Sequence, residues 1–248
     1  MFADVVTVTV KELKEIMNMR ENRRGMLLVI FIPVILLGIQ FPLQFKAYWV
    51  KTPLSLMPWV LGPVIYIANS IADSVAGERE RHTLETIFAT RLSEKALILG
   101  KIAASMIFAL SITCLIVLIG GISSAFATGA DSLRLLHPSR SVVGPLIGIL
   151  TASLMANVGI LVSLRAVTVR QAQQTLGIVM FVLFFSPSII AVAIPKSILK
   201  SIKVHIMSYD PFMAGLIVFL FFTVVDIALF ACALTRFKRN RILAGSDN

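Results

Sequence analysis

Charged residues are scarce in this 248-residue chain: Asp, Glu, Lys and Arg together make up 15% of it, against about 25% in soluble domains. Hydrophobic residues make up 57%, and the mean hydropathy is +0.90. So little charge excludes an ordinary soluble globular domain. The composition predicts a membrane protein in which the membrane part takes up almost the whole chain.

Residues that bind metals or act as nucleophiles are also few. The cysteines, Cys114 and Cys232, both lie inside apolar segments, and the histidines are His82, His137 and His205. No Cys/His cluster has metal-ligand spacing, and no nucleophile, base and orienting group can be assembled from these residues. We therefore expect no metal site and no catalytic site in this chain.

A phosphate-binding loop of the G-x-x-x-x-G-K-[ST] type is absent as well. Gly100 and Lys101 supply an adjacent glycine and lysine, but residue 95, where the motif needs its first glycine, is Lys95. The chain is therefore not expected to bind ATP in that way, and we expect no cofactor in it.

What the chain does have is a series of long apolar runs. Hydropathy predicts six membrane-spanning segments, at residues 26–45, 54–76, 96–128, 142–164, 175–195 and 212–235. Each can cross a hydrocarbon core about 30 Å thick at about 1.5 Å per residue, and the third is long enough to tilt or to project beyond it. No internal repeat and no linker divides the chain. The expected fold is all-α, with one membrane domain over residues 1–248 whose six helices occupy residues 26–235.

The basic residues are distributed unevenly between the two sides of the membrane. Sixteen of the 23 lysines and arginines lie on the side of the chain termini, and seven lie on the opposite side. Because loops rich in Lys and Arg stay in the cytoplasm, both termini are expected there, and residues 236–248 form a basic cytoplasmic tail. The need for basic loops on one side of the membrane explains the net charge of +10. The charge therefore does not indicate binding to nucleic acid, and we do not expect nucleic acid as a partner.

Residues 1–25 are expected to form an amphipathic helix on the cytoplasmic surface of the membrane, in contact with lipid. Thr9 and Glu12 have the spacing of a capping box, and Lys11 and Glu15 have the spacing of a helical ion pair. The apolar stripe of this helix consists of Val6, Val10, Leu13 and Met17.

The stretch 76–95 carries four acids and four bases between the second and third spans. Acids contribute little to orientation, so their number needs another explanation. Leu84, Ile87, Phe88 and Leu92 have the spacing of an amphipathic helix. A helix resting on anionic lipid would carry mostly bases, whereas a mixed-sign face fits a protein surface. The alternative is a solvated helix held by its own ion pairs.

This stretch also resembles a known signature. The run GERERHTLETIFATRLS, residues 77–93, is similar to the cytoplasmic motif G-E-R-E-x-G-T-L-E-x-L-L-x-x-P-x-S of ABC-2 type permeases, the membrane subunits of ATP-driven exporters. His82 stands where that family often has Gly, and Arg91 where it often has Pro. The opening TVKELKEIMNMRENRRG also resembles the family's entry segment before its first span.

The resemblance implies a permease subunit of the cell membrane that pairs with a second six-span subunit, identical or homologous. Two cytoplasmic ATPases would carry the ATP and Mg, and export is the usual direction. The segment 77–95 would contain the coupling helix that docks on an ATPase. The residues expected to dock are Glu78, Arg79, Glu80, Arg81, Thr83, Leu84, Glu85, Ile87 and Phe88.

The resemblance further implies a translocation path between the two subunits, lined by spans one, two and five. The polar residues that it places there are Gln40, Gln44, Tyr66 and Asn69.

Asp226 is a separate candidate, because it lies deep in the last span, about 15 Å from Arg236 along the helix. An ionised carboxylate at that depth costs about 3 kcal/mol on insertion scales, so Asp226 should be neutral, paired or facing water. Two roles are open for it: an ion or substrate site in the translocation path, or an interhelical hydrogen bond. The chain could accordingly be an ion-coupled secondary transporter that uses Asp226.

A non-transporting membrane scaffold is the other alternative to a permease. The sequence does not predict the substrate.

Overall fold

A computed structural model describes residues 1–17, 23–81, 83, 92–129, 138–193 and 211–236. Every regular element within these ranges is helical, which confirms the all-α class. Four of the residues expected to dock, Leu84, Glu85, Ile87 and Phe88, lie outside the described residues. The coupling helix therefore stays a prediction.

The described residues form nine α-helices joined partly by tighter or wider turns. A π-helical turn, Leu36–Gln40, joins the helices Arg23–Ile35 and Phe41–Phe45, and a 3-10 turn, Pro53–Leu56, precedes the helix Met57–Glu80. The helices are α1 Phe2–Met17, α2 Arg23–Ile35, α3 Phe41–Phe45, α4 Ala47–Lys51, α5 Met57–Glu80, α6 Glu94–Thr128, α7 Pro138–Ser163, α8 Val169–Ala193 and α9 Pro211–Arg236.

Among the described residues, five helical segments are long and apolar enough to cross a membrane. Five of the predicted spans agree with them to within a few residues at each end. The remaining predicted span, 175–195, falls on α8, and the count of six stays a prediction. The five segments are Leu27–Phe45, Pro53–Glu80, Glu94–Thr128, Ser141–Ser163 and Gly215–Arg236.

The first span is not a regular helix, and a proline explains why. Pro42 has no N–H to offer to the preceding turn. Just before it, Phe41 N donates to Leu36 O, which is the wider spacing of a π-helix. The span thus crosses as α2, a π turn and α3, a deviation that hydropathy does not register.

Helix α5 lies at the centre of the bundle and packs against α6, α7 and α8. Its residues Ile67, Ile71 and Val75 are fully buried. Glycines of α7 allow close approach: a Cβ at Gly148 would lie 2.6 Å from Trp59 Cε3, and a Cβ at Gly159 would overlap Ile71. Small residues at such contacts are typical of helix packing in membranes. A movement of α5 would therefore displace residues of the three helices packed against it.

Helix α1 lies against the first turns of α6, through a face that carries Val8, Thr9 and Glu12. Thr9 Oγ1 donates to Val5 O at 2.8 Å and lies 3.4 Å from Gly100 O. The side of the molecule on which α1 lies, together with the end of α5 and the start of α6, is called the terminal side below.

The predicted apolar stripe lies on a different face of α1. Val6, Val10 and Met17 are exposed, and Leu13 is half-buried. An exposed apolar stripe next to membrane-spanning helices fits contact with lipid, although the placement of α1 on the membrane surface stays a prediction.

The two local predictions for α1 differ in outcome. The Lys11–Glu15 ion pair is confirmed, with Lys11 Nζ 3.3 Å from Glu15 Oε2. The capping box is wrong, because α1 begins at Phe2, so Thr9 and Glu12 lie in the helix interior. Both residues instead face α6.

Candidate functional site: the junction at the end of α5

The signature residues Gly77, Glu78, Arg79 and Glu80 form the last turn of α5 on the terminal side. Four other parts of the chain meet this turn: α1, α6, the end of α7 and the start of α8. We call this meeting point the junction. Its contacts fall into a buried lysine cluster, a helix contact at Gly100, and bonds from Arg79 and Glu80.

The lysine cluster is built around Lys101, whose side chain is 2% exposed. Its Nζ lies 3.0 Å from Glu12 Oε1, 2.7 Å from Glu78 Oε1 and 2.7 Å from Ser74 O. An ammonium group has three N–H donors, and here each has an acceptor. Because a buried charge is tolerated only when it is paired and hydrogen-bonded, this geometry holds α1, α5 and α6 together.

A second lysine extends the cluster toward solvent. Lys11 Nζ lies 3.3 Å from Glu12 Oε1 and 3.8 Å from Glu78 Oε1. Burial lowers the pKa of Lys11, but Glu12, Glu15 and Glu78 together raise it above its ordinary value. Lys11 is therefore charged at neutral pH, and its charge helps to balance the two carboxylates that Lys101 bridges.

A glycine brings α1 close enough for this cluster to form. A Cβ at Gly100 would lie 2.5 Å from Val8 Cγ1 and 2.6 Å from Val8 Cβ. The Val8 Cβ is fixed to its backbone, so a side chain at position 100 would push α1 away from α6. Gly100 directly precedes Lys101, and the close approach and the charge cluster thus occur at one place.

Arg79 extends the junction to α7. Its Nη1 donates to Ala166 O at 2.7 Å and its Nη2 to Leu164 O at 3.1 Å. Both carbonyls lie just beyond the end of α7, where a helix leaves acceptors without intrahelical partners. A guanidinium is suited to this task, because its planar fork donates two bonds at once.

Glu80 holds the start of the next helix. Its Oε2 accepts a hydrogen bond at 3.0 Å from the backbone N–H of Val169, the first residue of α8. A carboxylate at a helix N-terminus satisfies a free donor and interacts favourably with the helix dipole. Arg79 and Glu80 thus secure both ends of the turn between α7 and α8.

Two further predicted docking residues, Arg81 and Thr83, form hydrogen bonds at the end of α5. Thr83 N donates to Glu78 O at 2.9 Å. Arg81 Nη2 donates to Asp73 Oδ1 at 2.9 Å and to Oδ2 at 3.0 Å. Both Arg81 and Thr83 are exposed, as is Glu80, whereas Glu78 is buried. Glu80, Arg81 and Thr83 therefore form the part of the described signature that a partner could contact.

The candidate path residues differ in how exposed they are. Gln40, Gln44 and Asn69 are exposed, and Asn69 Nδ2 donates to Ile65 O within its own helix. Tyr66 is 1% exposed and packs in the core, its OH donating to the carbonyl of residue 30 at 3.0 Å. The position of Tyr66 does not favour a path-lining role, and the path itself stays a prediction.

Asp226 takes part in a bond between helices. Asn157 Nδ2, on α7, donates to Asp226 Oδ1, on α9, at 2.8 Å. Asn157 is 1% exposed, and its Oδ1 has no hydrogen-bond partner among the described residues. One of the two roles left open for Asp226, the interhelical hydrogen bond, is present in the structure. The ion or substrate role stays a prediction.

The sequence pattern does not predict the contact between Lys101 and Glu12. In the sequence Lys101 is one of the bases on the side of the termini, and Glu12 has the spacing of a cap. A signal was available: Lys101 follows four apolar residues and Gly100 in a helix that continues into a span, and a charge in such a place needs a partner. Nothing in the sequence pattern identified Glu12 and Glu78 as its partners.

Among the described residues, no group of three or more His, Cys, Asp or Glu side chains could hold a metal ion.

Comparison with known protein families gives a match. The family described as ABC-2 family transporter protein matches residues 44–234, about three quarters of the chain. The matched range includes the whole junction except α1. A search of curated proteins finds no match.

Proposed function

The chain belongs to the ABC-2 family of transporter proteins, and from this premise we propose that it couples ATP hydrolysis on separate cytoplasmic subunits to movement of its own spans. Members of this family are membrane subunits of transporters and not catalytic subunits. In the proposed assembly, two ATPases bind ATP and Mg, and a second permease subunit completes the path. The direction is export.

The observation that carries the proposal is the set of bonds at the last turn of α5. Glu78 is bonded to Lys101 of α6, which also holds Glu12 of α1. Arg79 and Glu80 hold the turn between α7 and α8. A displacement applied just after this turn is passed through short charged bonds to four other parts of the chain. A contiguous network of this kind can carry coupling between a remote event and the spans.

The docking surface is proposed to begin at the exposed end of this turn. Glu80, Arg81 and Thr83 are exposed there, and the predicted amphipathic helix that includes Leu84, Glu85, Ile87 and Phe88 follows. Glu78 and Arg79 would then act inside the permease and transmit the displacement, instead of touching the ATPase. This divides the nine expected docking residues into a contacting group and a transmitting group.

A second subunit is supported by the faces that the described chain leaves uncovered. In an 18-residue window of the last span, Gly215–Arg236, 6% of the described residues are buried, against 44% in a window of Pro53–Glu80. Asn69 is exposed seven residues before the predicted end of its span at residue 76, about 10 Å by the rise of an α-helix, which is inside a hydrocarbon core about 30 Å thick. An amide at that depth is more stable against another protein chain or a polar path than against lipid.

The test is co-purification. The tagged chain is extracted in mild detergent, and binding of its ATPase is measured for wild type, for Arg81→Glu and for Glu85→Lys. We expect both reversals to weaken binding, because mixed-sign faces depend on charge complementarity. Glu80 is left intact, since its reversal would also break the bond to Val169 N. Arg81→Glu breaks the bonds to Asp73, so Asp73→Asn, which weakens the same pair and keeps the charge of Arg81, is measured beside it. Lys46→Glu, on the opposite side of the membrane, is the matched control.

Two results would count against the proposal: ATPase binding unchanged in both reversals, or transport that proceeds without nucleotide. The second result would favour the ion-coupled alternative, for which Asp226→Asn would then have to abolish transport. A membrane scaffold would bind its partner and transport nothing.

A further inference from the structure

A cavity of about 440 Å³ lies between the ends of α7, α8 and α9 on the terminal side. This volume is within the range of small-molecule sites, about 300 to 1,000 Å³. The cavity is separate from the lysine cluster and includes none of the predicted docking or path residues. Its lining includes Val158, Leu161, Val179, Leu229, Arg165 and Arg236.

The lining is divided between an apolar interior and a basic mouth. Arg165 and Arg236 lie at the outer ends of the lining stretches of α7 and α9 and are exposed. Neither guanidinium has a hydrogen-bond or ion-pair partner among the described residues, and no aspartate or glutamate lines the cavity. The site is therefore complementary to a negative group attached to an apolar one.

The dimensions favour a lipid over a small soluble anion. From Leu229 to Arg236 the helix rises about 10 Å, so the cavity extends that far into the membrane from its basic mouth. A soluble anion would contact the arginines and leave the apolar walls without an occupant. An acyl chain attached to an anionic head group would contact both parts.

We propose that this cavity binds an anionic phospholipid from the leaflet on the terminal side. The phosphate interacts with Arg165 and Arg236, and the beginning of an acyl chain lies along Val158 and Leu229. The orientation proposed above places the cavity in the cytoplasmic leaflet, where anionic lipids are concentrated. Arg165 lies between Leu164 and Ala166, whose carbonyls Arg79 holds, so the bound lipid links α9 to the junction.

Cys232 provides a direct measurement, because it lines the cavity. In a Cys114→Ser background it is the one remaining thiol of the chain. The purified protein in detergent is titrated with phosphatidylglycerol or with phosphatidylcholine of the same acyl chains, and the rate of Cys232 modification by a small thiol reagent is recorded. We expect phosphatidylglycerol to slow modification at much lower concentration than phosphatidylcholine.

Arginine substitutions test the recognition of the head group. Arg165→Gln and Arg236→Gln should each raise the phosphatidylglycerol concentration needed for half protection about fivefold, by the usual contribution of one basic residue near an anionic surface. Arg165→Lys should retain most of the protection, which separates loss of charge from misfolding. Arg170→Gln is the matched control, since Arg170 is exposed on α8 but does not line the cavity.

Three results would overturn the inference. Equal protection by phosphatidylcholine would exclude recognition of the charge. Equal protection by glycerol phosphate would identify a site for soluble anions. Faster modification of Cys232 in lipid-free protein after removal of residues 242–248 would show that the chain's own tail occupies the cavity.

Discussion

Replacing the buried lysine tests whether the lysine cluster holds the junction together. In Lys101→Met, the apolar part of the side chain is retained and the ammonium group is lost. Glu12 Oε1 lies 3.0 Å and Glu78 Oε1 2.7 Å from that ammonium group. Without it, the two carboxylates would lie close to each other with Lys11 as their remaining partner. Breaking a buried ion pair by removing one partner costs about 3 to 5 kcal/mol. For a chain of this length, that corresponds to a melting temperature lower by about 6 to 20 °C.

The matched control neutralises the whole cluster. In Glu12→Gln/Glu78→Gln/Lys101→Met no buried charge is left unpaired, and replacing a complete ion network is often close to neutral. We therefore expect the triple variant to be more stable than Lys101→Met alone, as measured by thermal unfolding in detergent. Trypsin cleavage after Lys11 should increase in the single variant, because α1 loses one of its attachments to α6. A melting temperature within 2 °C of wild type for Lys101→Met, or a triple variant as unstable as the single one, would refute the reasoning.

Three other predictions follow from contacts within the bundle. Gly100→Ala should lower the free energy of unfolding by about 1 to 3 kcal/mol, because the new Cβ would clash with Val8. Gly121→Ala is the control and should not destabilise the chain, because a Cβ there meets no atom within 4 Å. Equal effects of the two substitutions in denaturation would contradict this. Arg79→Gln should cost about 1.5 to 3 kcal/mol through its two carbonyl bonds, and an unchanged melting curve would argue against them. Asp226→Asn should keep the bond to Asn157 and full transport, and loss of transport at unchanged stability would instead support an ion site.

The membrane spans were predictable because the bilayer constrains them strongly. In hydrocarbon every backbone polar group has to be bonded within the segment, so a span is a helix of about 20 apolar residues. The predicted range 142–164 and the observed Ser141–Ser163 differ by one residue at each end for this reason. Hydropathy does not register bonding geometry, and it therefore missed the π turn before Pro42.

The signature was recognised from the sequence, but the tasks of its residues were not. A run of alternating acids and bases is compatible with an external partner and with internal pairing. The structure places Glu78 against Lys101, 23 positions later in the chain, and Arg79 against the carbonyl of residue 166. Contacts at such separations depend on which helices pack side by side, and a local pattern holds no information about that.

The sequence by itself determined that this chain is a helical membrane protein, approximately where its spans lie, and to which family it belongs. These properties follow from local hydrophobicity and from a short motif, both of which can be read along one stretch of chain. The tertiary structure decided that Lys101 pairs with Glu12 and Glu78, and that Asn157 pairs with Asp226. It also decided that two arginines without described partners face one cavity. Each of these depends on bringing distant parts of the chain together, and the pairings require distances of about 3 Å, which only the packing of whole helices can set.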